Sequence, residues 1–66
     1  MTIKHAHELK SGDRVVIDPT EPSGYREIVS VYEMPDTGNI EIVMRWAGLS
    51  TVTRVYPASH EFQIYD

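Results

Sequence analysis

The sequence predicts a small all-β domain, bent strongly enough to form a barrel. Apolar residues recur with a period near two, as in strands that bury one face. Turn-forming residues interrupt this pattern at intervals of roughly 8–12 residues, the spacing expected of short strands in a small β fold. Because 66 residues are few for two packed sheets, the strands should curve onto themselves as one domain covering residues 1–66.

Five strands and two short helical turns account for most of the chain. The first strand follows a turn in "LKSGDRVVID" (residues 9–18), where Gly12 should take a conformation that other residues resist and Asp13 should accept turn amides. "PTEPSG" should be an exposed loop, and "PDTGN" a hairpin turn with Gly38 or Asn39 at positive φ. Strands are expected at residues 14–18, 25–34, 39–46, 51–56 and 61–65, and short 3₁₀ turns at 5–9 and 57–61.

The third strand has the clearest phase. Ile40, Ile42, Met44 and Trp46 share one parity and are expected to face inward. If "AGLS" is a four-residue turn, Trp46 lies opposite Thr51, and Ile42 lies opposite residue 55 of the next strand. Trp46 is also at the strand end, where it could be a core residue, a partly buried lid, or part of an aromatic groove that receives proline-rich peptides.

The second strand has a conflict of parity that a bulge would resolve. Ile28 and Val31 are both suited to the core but differ in parity, and a β-bulge near Val29 and Ser30 would point both inward and curve the sheet. The side chains expected to be mostly buried are Leu9, Val15, Ile17, Ile28, Val31, Ile42, Met44, Val55, Phe62 and Ile64.

Composition bounds the functions open to the chain. Six Lys and Arg against ten Asp and Glu give a net charge of −4, which disfavours non-specific nucleic-acid binding without excluding a local basic face. Without cysteine there is no disulfide or thiolate site, which suits a cytoplasmic location. No run of apolar residues is long enough for a membrane span or a signal peptide.

Catalysis and metal binding find little support in the residue pattern. His5, His7 and His60 could supply three imidazoles to zinc, but no carboxylate spacing completes a known motif, so surface histidines and no metal are expected. The serines lack a nucleophile-elbow context, and a barrel filled by its own side chains has no pocket for a substrate. The sequence therefore predicts a protein without enzymatic activity and without a cofactor.

One group of arginine and aromatic residues is a candidate binding surface. With the register above, the side chains of strands three and four form an outward patch that Tyr25, Arg26 and Tyr32 could border. Arginine and tyrosine are enriched at protein interfaces and also stack on nucleobases. The alternative is that Glu41 and other acids pair with these arginines on a solvated sheet face. The candidate partner-binding residues are Val43, Arg45, Trp46, Val52, Arg54 and Tyr56.

The motif at residues 9–15 resembles a known fold. "LKSGDRV" is similar to the Leu-x-x-Gly-Asp-x-Val start of the first strand in many SH3-like small barrels. The later "IVSV", the strand ending in Arg-Trp and "VYPASHEFQI" follow a layout similar to short actinobacterial and phage proteins built as SH3-like barrels. That resemblance implies the fold, and by analogy an accessory protein acting on host machinery.

The function expected from these observations is docking to a protein partner. The alternative is a nucleic-acid-associated SH3-like or KOW-like module of transcription or translation, which would gain if the arginines converged on one face clear of acids. A monomer or a weak homodimer formed through strand edges is expected.

Overall fold

The structure is a computed structural model, and it describes residues 2–20, 24–46 and 48–65. It consists of β1 (Thr2–His5), a 3₁₀ helix (Ala6–Glu8), β2 (Arg14–Val16), β3 (Tyr25–Glu33), β4 (Ile40–Arg45), β5 (Thr51–Tyr56) and β6 (Glu61–Ile64). The strands form one antiparallel sheet in the order β1-β6-β2-β3-β4-β5. The predicted all-β class is therefore confirmed.

The long strand β3 divides the sheet into two halves. Its first residues pair with β2, and the rest of the strand pairs with β4. The register shifts between Ile28 and Ser30, which confirms the predicted bulge and places Ile28 opposite Met44 and Val31 opposite Ile42. Because a bulge bends its strand, β3 can serve both halves of the sheet.

Side chains from both halves meet in one core. Ile28, Ile40, Ile42 and Met44 come from β3 and β4, and Val15, Phe62 and Ile64 come from β2 and β6. Ala6 and Leu9, from the 3₁₀ helix and the residue that follows it, complete the buried cluster. Val31, predicted to be in the core, is half-buried against this cluster. Seven other predicted core residues are buried: Leu9, Val15, Ile28, Ile42, Met44, Phe62 and Ile64.

The prediction of burial is wrong for two residues, Ile17 and Val55. Ile17 is 47% exposed because β2 ends at Val16, after which the amides of Ile17 and Asp18 both donate to the carbonyl of Gly24. Val55 is 50% exposed because β5 pairs in a different register from the predicted one.

The register of β5 is shifted by one residue from the prediction. Arg45 lies opposite Thr51, Met44 opposite Val52, and Ile42 opposite Arg54. The connection covers residues 46–50 and is closed by the amide of Trp46 donating to the carbonyl of Ser50, 2.9 Å away. A shift of one residue exchanges the two faces of a strand. The prediction of a four-residue "AGLS" turn was therefore wrong; Ala47 lies outside the described residues.

The strand β1 was not predicted from the sequence. It pairs with β6 over its whole length, from Thr2 opposite Ile64 to His5 opposite Glu61. Among the described residues the sheet has two edges, β1 and β5, so the strands do not close into the expected five-stranded barrel.

The predicted turns are mostly confirmed. Gly12 and Gly38 have φ of 96° and 75°, and the Asp13 carboxylate accepts the Lys10 amide at 3.1 Å. The first predicted 3₁₀ segment forms at Ala6–Glu8, whereas the second is a single turn closed by the His60 amide on the Pro57 carbonyl. In the predicted "PTEPSG" loop, residues 21–23 lie outside the described part of the chain.

Candidate functional site: an arginine-lined groove

A surface groove of about 400 Å³ lies over the strands β2, β3 and β4. We call it the arginine groove, because three of its residues are arginines. Two more are aromatic, and a glycine from the β4–β5 connection completes the wall. Its lining residues are Arg14, Tyr25, Arg26, Glu27, Arg45, Trp46 and Gly48.

One wall of the groove consists of Arg14 and Tyr25, and both of these residues also contact Tyr65, which is not a lining residue. The rings of Tyr25 and Tyr65 stack with centroids 4.7 Å apart. The Arg14 guanidinium lies 5.5 Å from the first ring centroid and 5.1 Å from the second. The backbone holds this arrangement, because the Tyr65 amide donates to the Arg14 carbonyl at 2.7 Å. Cation–π attraction thus orients the Arg14 guanidinium without neutralising its charge.

The other wall contains Arg26 and Trp46. The Arg26 guanidinium carbon lies 4.6 Å from the Trp46 ring centroid, and Nη1 donates to the Tyr25 carbonyl at 2.9 Å. Within the described residues, Nε of Arg26 is buried without a hydrogen-bond partner. Trp46 itself is 47% exposed, so it is a surface residue rather than part of the core.

The acid of the groove is paired with the third arginine. Arg45 Nε donates to Glu27 Oε1 at 3.0 Å, and both side chains are close to half exposed. Three guanidinium groups and one carboxylate give the described lining residues a formal charge of +3 − 1 = +2. The chain as a whole carries −4, so the groove is a local positive region on an acidic protein.

The predicted binding residues are divided between two places. Arg45 and Trp46 line the arginine groove, as do Tyr25 and Arg26, which were expected to border the predicted patch on strands three and four. Arg54 and Tyr56 instead line a second groove of about 390 Å³ with Ile17, Met44, Trp46 and Val55.

Two further predicted binding residues, Val43 and Val52, are half-buried and lie outside both grooves, and Tyr32 is 58% exposed and also lies outside them. Arg45 and Arg54 are separated because the shifted register places them on opposite faces of the sheet.

Arg14 and Glu27 line this groove but were not among the predicted binding residues. Arg14 and Glu27 are directly opposite each other in the β2–β3 pair, on the face away from buried Val15. The parity of β2 already pointed Arg14 outward, but the β2–β3 register across the "PTEPSG" loop was needed to bring it beside Tyr25.

A second polar cluster lies where β1 ends. The His5 amide donates to Glu8 Oε1 at 2.8 Å, and His5 Nδ1 is 3.1 Å from the same oxygen. The backbone hydrogen bond from His5, followed by the contact with its ring, lowers the pKa of the Glu8 carboxyl below its ordinary value. His60 is placed differently, with its ring centroid 4.8 Å from the rings of both Tyr56 and Phe62.

Within residues 2–20, 24–46 and 48–65, no helix has the length and apolar character needed to cross a membrane. Comparison of the chain with protein-family models, with curated proteins and with solved structures finds no match.

Proposed function

We propose that this domain is a non-enzymatic binding module that docks a protein partner through the arginine groove. The observation that carries the proposal is the convergence of Arg14, Arg26 and Arg45 with two aromatic rings around one groove. Arginine, tyrosine and tryptophan are the residues most enriched among those that dominate interface binding energies.

The charge of the groove indicates an acidic segment as the partner. Guanidinium groups bind carboxylates through two parallel hydrogen bonds, and such charge-assisted pairs are stronger than neutral ones. Arg14 already lies against aromatic rings, so little side-chain entropy is lost when it binds a ligand. Exposed Trp46 and half-buried Tyr25 supply apolar surface for an aromatic or aliphatic residue beside the acids.

The same lining supports the absence of enzymatic activity. Among the described residues that line the groove there is one carboxylate, Glu27, which is engaged by Arg45, and there is no serine, histidine or cysteine. These lining residues therefore do not include a nucleophile paired with a general base. The chemistry that these residues offer is recognition.

The fold proposed for this module is an SH3-like small barrel that is open at one side. In support, the Gly12 turn leads into β2, the bulged β3 bends between two sheet halves, and β6 returns to pair beside β2. β1 extends this arrangement at the edge next to β6.

A nucleic-acid partner is the second candidate, favoured by one observation. Three of the chain's four arginines share a groove with two aromatic rings, and the acid described there, Glu27, is already paired. Grooves that combine positive charge with aromatic rings bind single strands. The net charge of −4 still opposes long-range attraction to phosphates.

Two labelled probes separate the candidates: a short Glu- and Asp-rich peptide that contains one tyrosine, and an oligothymidylate of similar length. Fluorescence anisotropy at low ionic strength should show saturable binding of the peptide. Arg45→Ala should weaken that binding on the order of 10- to 100-fold, as expected for loss of a hydrogen bond to a charged group. Arg45→Lys should recover it only in part, because lysine cannot form the bidentate pair.

The matched control is Arg54→Ala, which removes an arginine outside the groove and leaves the same net charge as Arg45→Ala. Equal weakening by both variants would show non-specific attraction and contradict the docking site. Tighter binding of the oligonucleotide, with an affinity that falls linearly in log salt, would favour the nucleic-acid alternative.

A further inference from the structure

Two histidines and a glutamate converge at the end of β1. His5, His7 and Glu8 each present a ligand atom, and these atoms lie within 4.8 Å of one another. The rings of His5 and His7 are nearly parallel, with centroids 5.8 Å apart. The arginine groove contains none of these residues, so the cluster is a separate feature of the molecule.

The backbone positions the three side chains. β1 ends at His5, and the 3₁₀ helix begins at Ala6, whose amide donates to the His60 carbonyl at 2.8 Å. The His5 amide donates to Glu8 Oε1, which turns that carboxylate back toward the His5 ring. Ala6 is fully buried in the core, so the segment between the two histidines is anchored to the fold.

We propose that His5, His7 and Glu8 form a binding site for a divalent zinc ion or a similar late first-row metal. Two imidazoles and one carboxylate are a donor set that zinc uses when one coordination position stays open. Ligand atoms about 2 Å from a tetrahedral ion are about 3.3 Å apart. The 3.1 Å between His5 Nδ1 and Glu8 Oε1 matches this separation.

The third ligand needs a small adjustment. His7 is exposed, and a rotation of its side chain brings a ring nitrogen toward the other two ligand atoms. Because His7 is exposed, that rotation costs little packing energy. The protein then supplies three ligands and leaves the fourth position to water.

Glu61 is the positioning residue for His5. It lies directly opposite His5 in the β1–β6 pair, and its Oε2 is 3.7 Å from His5 Nε2. With the metal on Nδ1, the proton of His5 is on Nε2 and points to this carboxylate. A carboxylate behind a ligand histidine fixes the ring tautomer and raises its basicity.

Zinc titration of the tag-free full chain tests the site. Isothermal calorimetry should show one zinc ion bound per chain, the melting temperature should rise with zinc concentration, and Mg²⁺ should produce neither effect. His7→Ala should abolish saturable binding, and Glu61→Gln should lower the affinity about 10- to 100-fold. Nitrogen-detected NMR should show the zinc on His5 Nδ1 and the proton on Nε2.

His60→Asn is the matched control, because it removes a histidine that packs against Tyr56 and lies outside the cluster. This variant should bind zinc like the unmodified chain. Absence of saturable zinc binding, or equal loss in the His60 and His7 variants, would overturn the site. An unchanged affinity in Glu61→Gln would overturn the positioning role of Glu61.

Discussion

The neighbouring strands β4 and β5 have equal length and similar apolar content, yet they differ sharply in burial. Ile40, Ile42 and Met44 of β4 are at most 2% exposed. In β5, by contrast, Val52 and Tyr56 are half-buried, and the other residues of the strand are exposed. The difference follows from their places in the sheet, because β4 has a strand on each side whereas β5 is an edge.

This comparison shows how far an alternating pattern can be interpreted. In β4 three apolar residues at a spacing of two fix the phase. The valines of β5, Val52 and Val55, differ in parity, so the pattern supports either phase. The structure selects the phase that places Val52 opposite Met44 and leaves Val55 outside. An edge strand contributes little burial, so its composition constrains its register weakly.

The largest expected effect is on the core position of β4. Ile42→Ala should lower the free energy of unfolding by about 2–5 kcal/mol, because Ile42 is fully buried and its truncation leaves a cavity. Val55→Ala, in the exposed half of β5, should cost under about 1 kcal/mol. Urea unfolding of both variants measures the two values, and equal losses would contradict the observed register.

The next effect concerns Tyr56, which packs against the core at the end of β5. Tyr56 meets the Phe62 ring edge to face, with centroids 4.9 Å apart. Tyr56→Leu should cost about 0.5–1.5 kcal/mol, since it keeps apolar volume but loses this contact. Tyr32→Leu, at an exposed tyrosine, is the control and should be nearly neutral. Thermal unfolding compares them, and the reverse order would show that β5 is held elsewhere.

A smaller contribution to stability is expected from the ion pair between Glu27 of β3 and Arg45 of β4. A double-mutant cycle with Glu27→Gln and Arg45→Gln should give a coupling of about 0.2–1 kcal/mol, because both partners of this ion pair are close to half exposed. The coupling should shrink in high salt, where exposed charges are screened. A coupling of several kcal/mol that resists salt would mean that the pair is desolvated.

The sequence predicted the interior of the sheet better than its edges. The bulge in β3 could be inferred because Ile28 and Val31 both needed burial, and the structure places both against β4. β1 could not be inferred, because three of the four residues of Thr2–His5 are polar and the segment forms a strand through pairing with β6.

The candidate site was predicted only in part, because it too depends on how strands pair. Arg45 and Trp46 were identified from one strand, whereas bringing Arg14 to them requires the register of β2 on β3 and the bend in β3. Similarly, Glu61 joins His5 only through the β1–β6 pair. Contacts between strands distant in sequence depend on registers that composition does not specify.

Substitution of Arg54, the charged residue of β5, should give the smallest change in stability. Its effect should instead be on self-association of the protein. Its register opposite Ile42 places this charge on the inner face of an edge strand, an arrangement that opposes pairing with a second chain. Arg54→Val should therefore increase concentration-dependent self-association in analytical ultracentrifugation. Thr53→Val, on the opposite face of the same strand, adds apolar surface without removing the charge. Equal association of both variants would show that hydrophobicity, rather than the inward charge, controls this edge.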